Sequence, residues 1–60
     1  MWIKTQGNVL LNLDQMDFIT YNNENTMAYK NSQPFIISDS DVVWKICDNL
    51  RRGTTIMEVL

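Results

Sequence analysis

The chain is 60 residues long, with 45% hydrophobic and 20% charged residues and a formal net charge of -2. That length suffices for one small domain spanning 1–60, and it excludes a second core or a deep catalytic cleft. Cys47 is the only cysteine and histidine is absent, so an intrachain disulfide and the usual Cys/His zinc sets are excluded as well.

A core of this size contributes only about 3–5 kcal/mol, and small domains usually supplement it with a second subunit or a partner when disulfides and metals are missing. The single unpaired cysteine predicts a reducing compartment, hence a cytoplasmic protein, and the start Met1-Trp2-Ile3-Lys4 is not followed by the apolar stretch of a signal peptide. Apolar runs such as Val9-Leu10-Leu11 and Phe35-Ile36-Ile37 are far shorter than the roughly 18 residues needed to span a bilayer, so no membrane association is expected. The acidic balance and the absence of a basic stripe give no electrostatic footprint for nucleic acid.

Turn residues punctuate the chain at Gln6-Gly7-Asn8, Asp14 to Asp17, Asn22-Asn23-Glu24-Asn25 and Asn31-Ser32-Gln33-Pro34. β-Branched and aromatic residues fill the gaps, the pattern of a meander of short strands. Strands are expected at about 1–6, 8–13, 17–22, 26–31 and 35–37. Asn22 and Asn23 suit the left-handed backbone of a tight hairpin. Pro34, which lacks an amide donor, suits the first position of a strand.

One helix is expected over about 40–52. Ser38-Asp39-Ser40-Asp41 offers side-chain acceptors to the free amides of a first turn, with Ser38 and Asp41 spaced as an approximate capping box, and Gly53 is a stop signal. At 100° per residue, Val42, Val43, Ile46, Cys47 and Leu50 share an arc of about 140°. Cys47 is therefore expected to be a buried, inert thiol. Trp44 falls about 60° beyond the arc, at the edge of the helix footprint. On the opposite face Asp41 is spaced to pair with Lys45, and Asp48 with Arg51 and Arg52. After Gly53 the tail 54–60 reads as a last strand returning to the sheet. The class is α+β, an antiparallel sheet of about five or six short strands with one helix on one face and a final C-terminal strand.

Alternation places Val9, Leu11 and Leu13 on one side of the second strand and Leu10 and Asn12 on the other. Likewise Ile3 opposes Trp2 and Lys4, and Met57 and Val59 oppose Ile56 and Leu60. Both faces thus carry large apolar side chains, where a solvent-facing side would alternate to polar ones. Trp2, Leu10 and a residue such as Ile56 or Leu60 are expected in a subunit contact, most simply a two-fold dimer. The competing arrangement is a tightly curled sheet, nearly a small barrel, that buries both sets within one chain.

No catalytic set is apparent. Without histidine Cys47 has no obvious activating base, Asp14 and Asp17 read as turn residues, Asp39 and Asp41 read as helix-start residues, and the spacing of a calcium loop is absent. No enzyme activity, metal or cofactor is expected. Trp2 and Trp44, placed at edges and of a type enriched among binding hot spots, are the recognition candidates. The hairpin around Asn22 and Asn23 is a second exposed candidate.

Met1-Trp2-Ile3-Lys4-Thr5, the Gly-containing turn and Leu11-Asn12-Leu13-Asp14 resemble the opening of a broad group of short, mostly uncharacterised proteins of Gram-positive bacteria and their phages. Leu50-Arg51-Arg52-Gly53 through Met57-Glu58-Val59 resembles the helix, Gly turn and Glu-Val strand with which those proteins close. The shorter, Asn-rich middle departs from their pattern. The resemblance implies an accessory protein of a phage or mobile element that acts in the host cytoplasm, and no functional residue carries over from it. The leading expectation is a non-enzymatic, homo-oligomeric modulator or inhibitor of a larger host protein, such as a defence-system component. The alternatives are a nucleotide or small-ligand sponge, with sites between subunits built from Lys4, Lys30 or Arg52 and a tyrosine, and a nucleic-acid-binding regulator.

Overall fold

A computed structural model describes residues 1–59. The elements follow in the order β1 Trp2–Lys4, β2 Leu10–Asn12, a 3₁₀ turn Leu13–Gln15, β3 Phe18–Tyr21, β4 Thr26–Lys30, β5 Gln33–Ser38, α1 Val43–Arg51 and β6 Ile56–Glu58. The class is α+β, but the strands form two three-stranded sheets rather than one, with orders β2-β1-β6 and β3-β4-β5. The break falls where Asp14 to Asp17 was expected to be a simple turn. There the Asn12 side chain accepts the Asp14 amide at 3.1 Å and the Leu13 carbonyl accepts the Met16 amide, so the chain coils for one turn and leaves the first sheet. A second departure is that β6 lies parallel to β1. The long connection between the two strands removes the hairpin constraint that makes sequence neighbours antiparallel.

Tight turns order the second sheet. Asn22 Oδ1 accepts the amides of Glu24 and Asn25 at 3.0 and 2.8 Å, and Asn23 takes the left-handed conformation with φ 73°. At the next turn Asn31 and Ser32 are both left-handed, with φ 52° and 67°, the two-residue geometry whose twist matches that of the flanking strands. Lys30 therefore pairs with Gln33, and β5 starts two residues earlier than expected. Pro34 occupies its second position, not its first, which is tolerated because β5 is an edge strand.

The core is shared between the sheets. Ile3 lies between Leu11 and Met57 in the first sheet, Ala28 and Ile37 face it from the second, and Leu13, Val42, Ile46 and Val59 close the cluster. Leu11 and Leu13 are buried as the alternation requires, whereas Val9 precedes β2 and is half exposed. Gln6 ties the sheets together at one corner. Its amide donates to the Ile37 carbonyl at 2.9 Å, and its side-chain oxygen accepts the Asp39 amide at 2.7 Å.

The helix begins at Val43, three residues later than expected, and the Ser38–Asp41 capping box does not form. Ser38 instead accepts the Ser40 amide and shares a hydroxyl contact with Ser40, while Asp41 accepts the Val43 amide. The buried hydroxyl of Thr26 organises this entry: it donates to the Ser40 carbonyl at 2.6 Å and accepts the Val42 amide at 3.0 Å. At the other end Gly53, with φ 72°, and Thr54 donate their amides to the Leu50 and Asn49 carbonyls, the crossed pattern of a Schellman stop.

Two stability predictions follow from these contacts. Thr26→Val keeps the shape but strands the buried Val42 amide and the part-buried Ser40 carbonyl, so urea unfolding should show a loss of about 1–3 kcal/mol, with Thr26→Ser closer to the parent. Ser32→Gly relieves a left-handed residue and should stabilise by about 0.5–1 kcal/mol in the same assay. A destabilised Ser32→Gly protein would show that the turn conformation carries no strain.

Candidate functional site

Large apolar side chains remain exposed on three surfaces. On the outer face of the first sheet, Trp2 lies opposite Ile56 in the cross-strand register, and Leu10 lies opposite Lys4. Trp2, Leu10 and Ile56 are 45%, 51% and 57% exposed, while Ile3, Leu11 and Met57 on the inner face are buried. The division expected from alternation is therefore present, including Met57 and Val59 against Ile56; Leu60 lies outside the described residues. Lys4 and Glu58 are register partners at the margin of this patch, and among the described residues neither has an ion-pair partner.

The second surface is the outer face of the second sheet. Phe18 and Tyr29, opposite each other on β3 and β4, stack with ring centroids 4.8 Å apart and planes 16° from parallel. Pro34 continues that row, and Ile36 stands exposed beside it. Met27 shares this face but is covered by Asn22, whose side-chain amide lies 3.4 Å from the sulfur.

The third surface is a groove of about 260 Å³ between α1 and the segment from the 3₁₀ turn into β3. One wall is Val43, Ile46, Cys47 and Leu50, and the other is Leu13, Met16, Phe18 and Ile19. Here the helix departs from expectation. Ile46 is buried, but Cys47 is exposed and Leu50 half exposed, because β3 presents only its edge to the helix and covers half of the apolar arc. The thiol expected to be buried in the core opens into this groove.

Trp44 is 67% exposed, and its indole nitrogen donates to the Asp41 carbonyl at 3.2 Å. It sits at the rim of the helix footprint and is not a core residue. Asn22 and Asn23 are exposed in the β3–β4 turn, where Asn22 is occupied in holding the turn. Trp2 and Ile56 are thus brought together with Leu10 on one face, whereas Trp44 belongs to the helix and Asn22 and Asn23 to a separate turn.

The charged residues have local roles. Asp14 binds the N-terminal ammonium at 3.2 Å, and Asp17 accepts the Asn31 amide at 3.0 Å, which joins two turns. Of the helix pairs expected, only Asp48–Arg52 forms. Among the described residues no cluster of three or more metal-ligating side chains occurs, and no helix is long and apolar enough to cross a membrane. Comparison of the chain with family models, curated proteins and solved structures gives no match.

Met16 and Phe18 are the groove residues that pattern reading misses. Their signal was an apolar density unusual for the stretch Asp14 to Asp17 and its flanks, which turn residues alone do not explain. Trp44→Ala should change unfolding free energy by no more than about 0.5 kcal/mol, as for other exposed side chains. A loss of several kcal/mol in urea melts would instead assign Trp44 to the core.

Proposed function

We propose that the chain is a non-enzymatic interaction protein that self-associates through the outer face of its first sheet and, as a dimer, modulates or inhibits a larger protein. The observation that carries this reading is the alignment of Trp2 with Ile56, beside Leu10, on a sheet face with no covering element among the described residues. A patch of this kind costs free energy in water at about 25 cal/mol per Å² of apolar surface, and a second copy covers it without any new structure. Lys4 and Glu58 add complementarity. Opposite charges at the margin of one patch can pair with their counterparts across a two-fold axis, since an isologous contact brings each residue near its complement on the partner.

The partner-facing elements in this reading are those the dimer leaves free, Trp44 on α1 and the Asn22-Asn23 turn. Trp is among the residue types that dominate binding energy when a partner desolvates them. The resemblance of the terminal motifs to short phage and Gram-positive proteins supports a host protein as the target and the host cytoplasm as the setting.

Native mass spectrometry and light scattering test the first step. The parent protein should be dimeric at micromolar concentration, and Leu10→Glu should weaken the dimer at least tenfold, about 1.4 kcal/mol, with circular dichroism unchanged. A monomeric parent would overturn the reading. Additional mass of a few hundred daltons per dimer would redirect it toward a small ligand held between subunits.

A further inference from the structure

The groove between α1 and the Leu13–Ile19 segment lies apart from the residues assigned to self-association. Its walls are leucine, isoleucine, valine, methionine and phenylalanine side chains with one thiol, and among the described residues no buried side-chain nitrogen or oxygen lacks a partner. Nothing polar is therefore held in reserve for a polar ligand. A cavity of about 150 Å³ with such a lining stays dry and takes up benzene. The present groove, at about 260 Å³, is open on one side and has room for eight or nine groups the size of a water or methylene, at about 30 Å³ each.

Its rim is not neutral. Residues three and four apart on a helix stand one above the other, so Trp44, Cys47 and Arg51 form a row on α1, beside the arc of Val43, Ile46 and Leu50. Cys47 is in the lining, which places Arg51 one turn further along, next to Leu50. Arg51 is exposed, and among the described residues it makes no ion pair or side-chain hydrogen bond, whereas its neighbour Arg52 is bound to Asp48. Nor is it needed as a cap, since the Gly53 and Thr54 amides already satisfy carbonyls of the last turn. An apolar trough with an arginine one helical turn beyond its lining, free of ion pairs among the described residues, matches an amphiphile with an anionic head.

We infer that the groove binds an aliphatic carboxylate of about eight carbons, its chain lying between α1 and the 3₁₀–β3 segment and its carboxylate on Arg51. Cys47 reports occupancy. It is the only thiol in the chain, it is exposed at the groove, and a bound chain would cover it.

The test follows the rate at which Cys47 in the full chain reacts with a colorimetric aromatic disulfide. Octanoate should slow the reaction in a saturable way, about tenfold at ten times its midpoint concentration, because only the unoccupied fraction reacts. Butyrate should protect far less because it leaves the trough unfilled, and octylamine should protect far less because its head meets Arg51 with like charge. Arg51→Glu should abolish protection by octanoate and confer it on octylamine, while Arg51→Lys keeps the preference of the parent. The Leu10→Glu variant should bind octanoate like the parent, so failure of the dimer and failure of this site are separable. An unchanged rate with octanoate, equal protection by octylamine, or an Arg51→Glu variant that still prefers octanoate would each overturn the proposal. So would a rate that falls with protein concentration alone, since that result assigns the groove to a second copy of the chain.

Discussion

The hydroxyl of Thr26 is the contact on which most of the arrangement depends. It is fully buried at the first residue of β4, opposite Ser38 at the end of β5 and beside the register shift between Thr26 and Met27. From there it reaches across the 39–42 connection to the Ser40 carbonyl and the Val42 amide. One side chain thus fixes where β5 ends, where α1 begins and the direction in which the helix leaves the second sheet. A buried amide or carbonyl left without a partner costs about 1–3 kcal/mol, and here two backbone groups share a single side chain. The helix axis, and with it the groove beside β3, is set by a strand residue rather than by the helix's own N-terminal sequence.

The second constraint is the corner at Gln6. The first sheet reaches the second by one backbone bond to Ile37 and one side-chain bond to Asp39, and between them the apolar residues of both sheets close on Ile3, Ala28 and Ile37. The result is intermediate between an open sheet and a small barrel. Its total accessible surface is 4020 Å², matching the roughly 4,000 Å² expected of a closed monomer of 7.0 kDa. With β6 paired to β1 of the same chain, the N- and C-terminal strands pair within one chain. The self-association proposed above therefore needs docking of faces and no exchange of strands.

Much of this was legible in the sequence, for identifiable reasons. Alternation separates Ile3, Leu11 and Met57 from Trp2, Leu10 and Ile56 because a strand's side-chain period is two, whatever sheet it joins. Asn22-Asn23 and Gly53 mark their turns because left-handed backbone selects those residue types. Other features depended on contacts between distant segments. The capping role of Thr26 joins positions 14 to 16 residues apart in sequence. The split into two sheets required the coil after Asn12, which looks like any other Asp-containing turn. The exposure of Cys47 and Leu50 was hidden for a related reason: periodicity shows which helix face is apolar, but not how much opposing surface exists to cover it.

That shortfall of covering surface also connects the fold to its function. A nine-residue helix is about 14 Å long, while the molecule extends 26 × 22 × 20 Å. It can roof only part of two sheets whose inner faces already consume the available core residues. Most of the remaining apolar side chains gather on the Trp2–Ile56 face, on the outer face of the second sheet and around the groove between Phe18 and Leu50. The first is broad, lies on regular strands and carries both signs of charge at its margin, features that suit a rigid macromolecular surface. The groove is narrow and concave, and Arg51, which makes no ion pair among the described residues, lies one helical turn beyond its lining residue Cys47, features that suit a flexible chain with a single anionic end. A domain this small has little apolar surface to spare, so the gathering of exposed apolar side chains into differently shaped surfaces is the feature from which the binding proposals start.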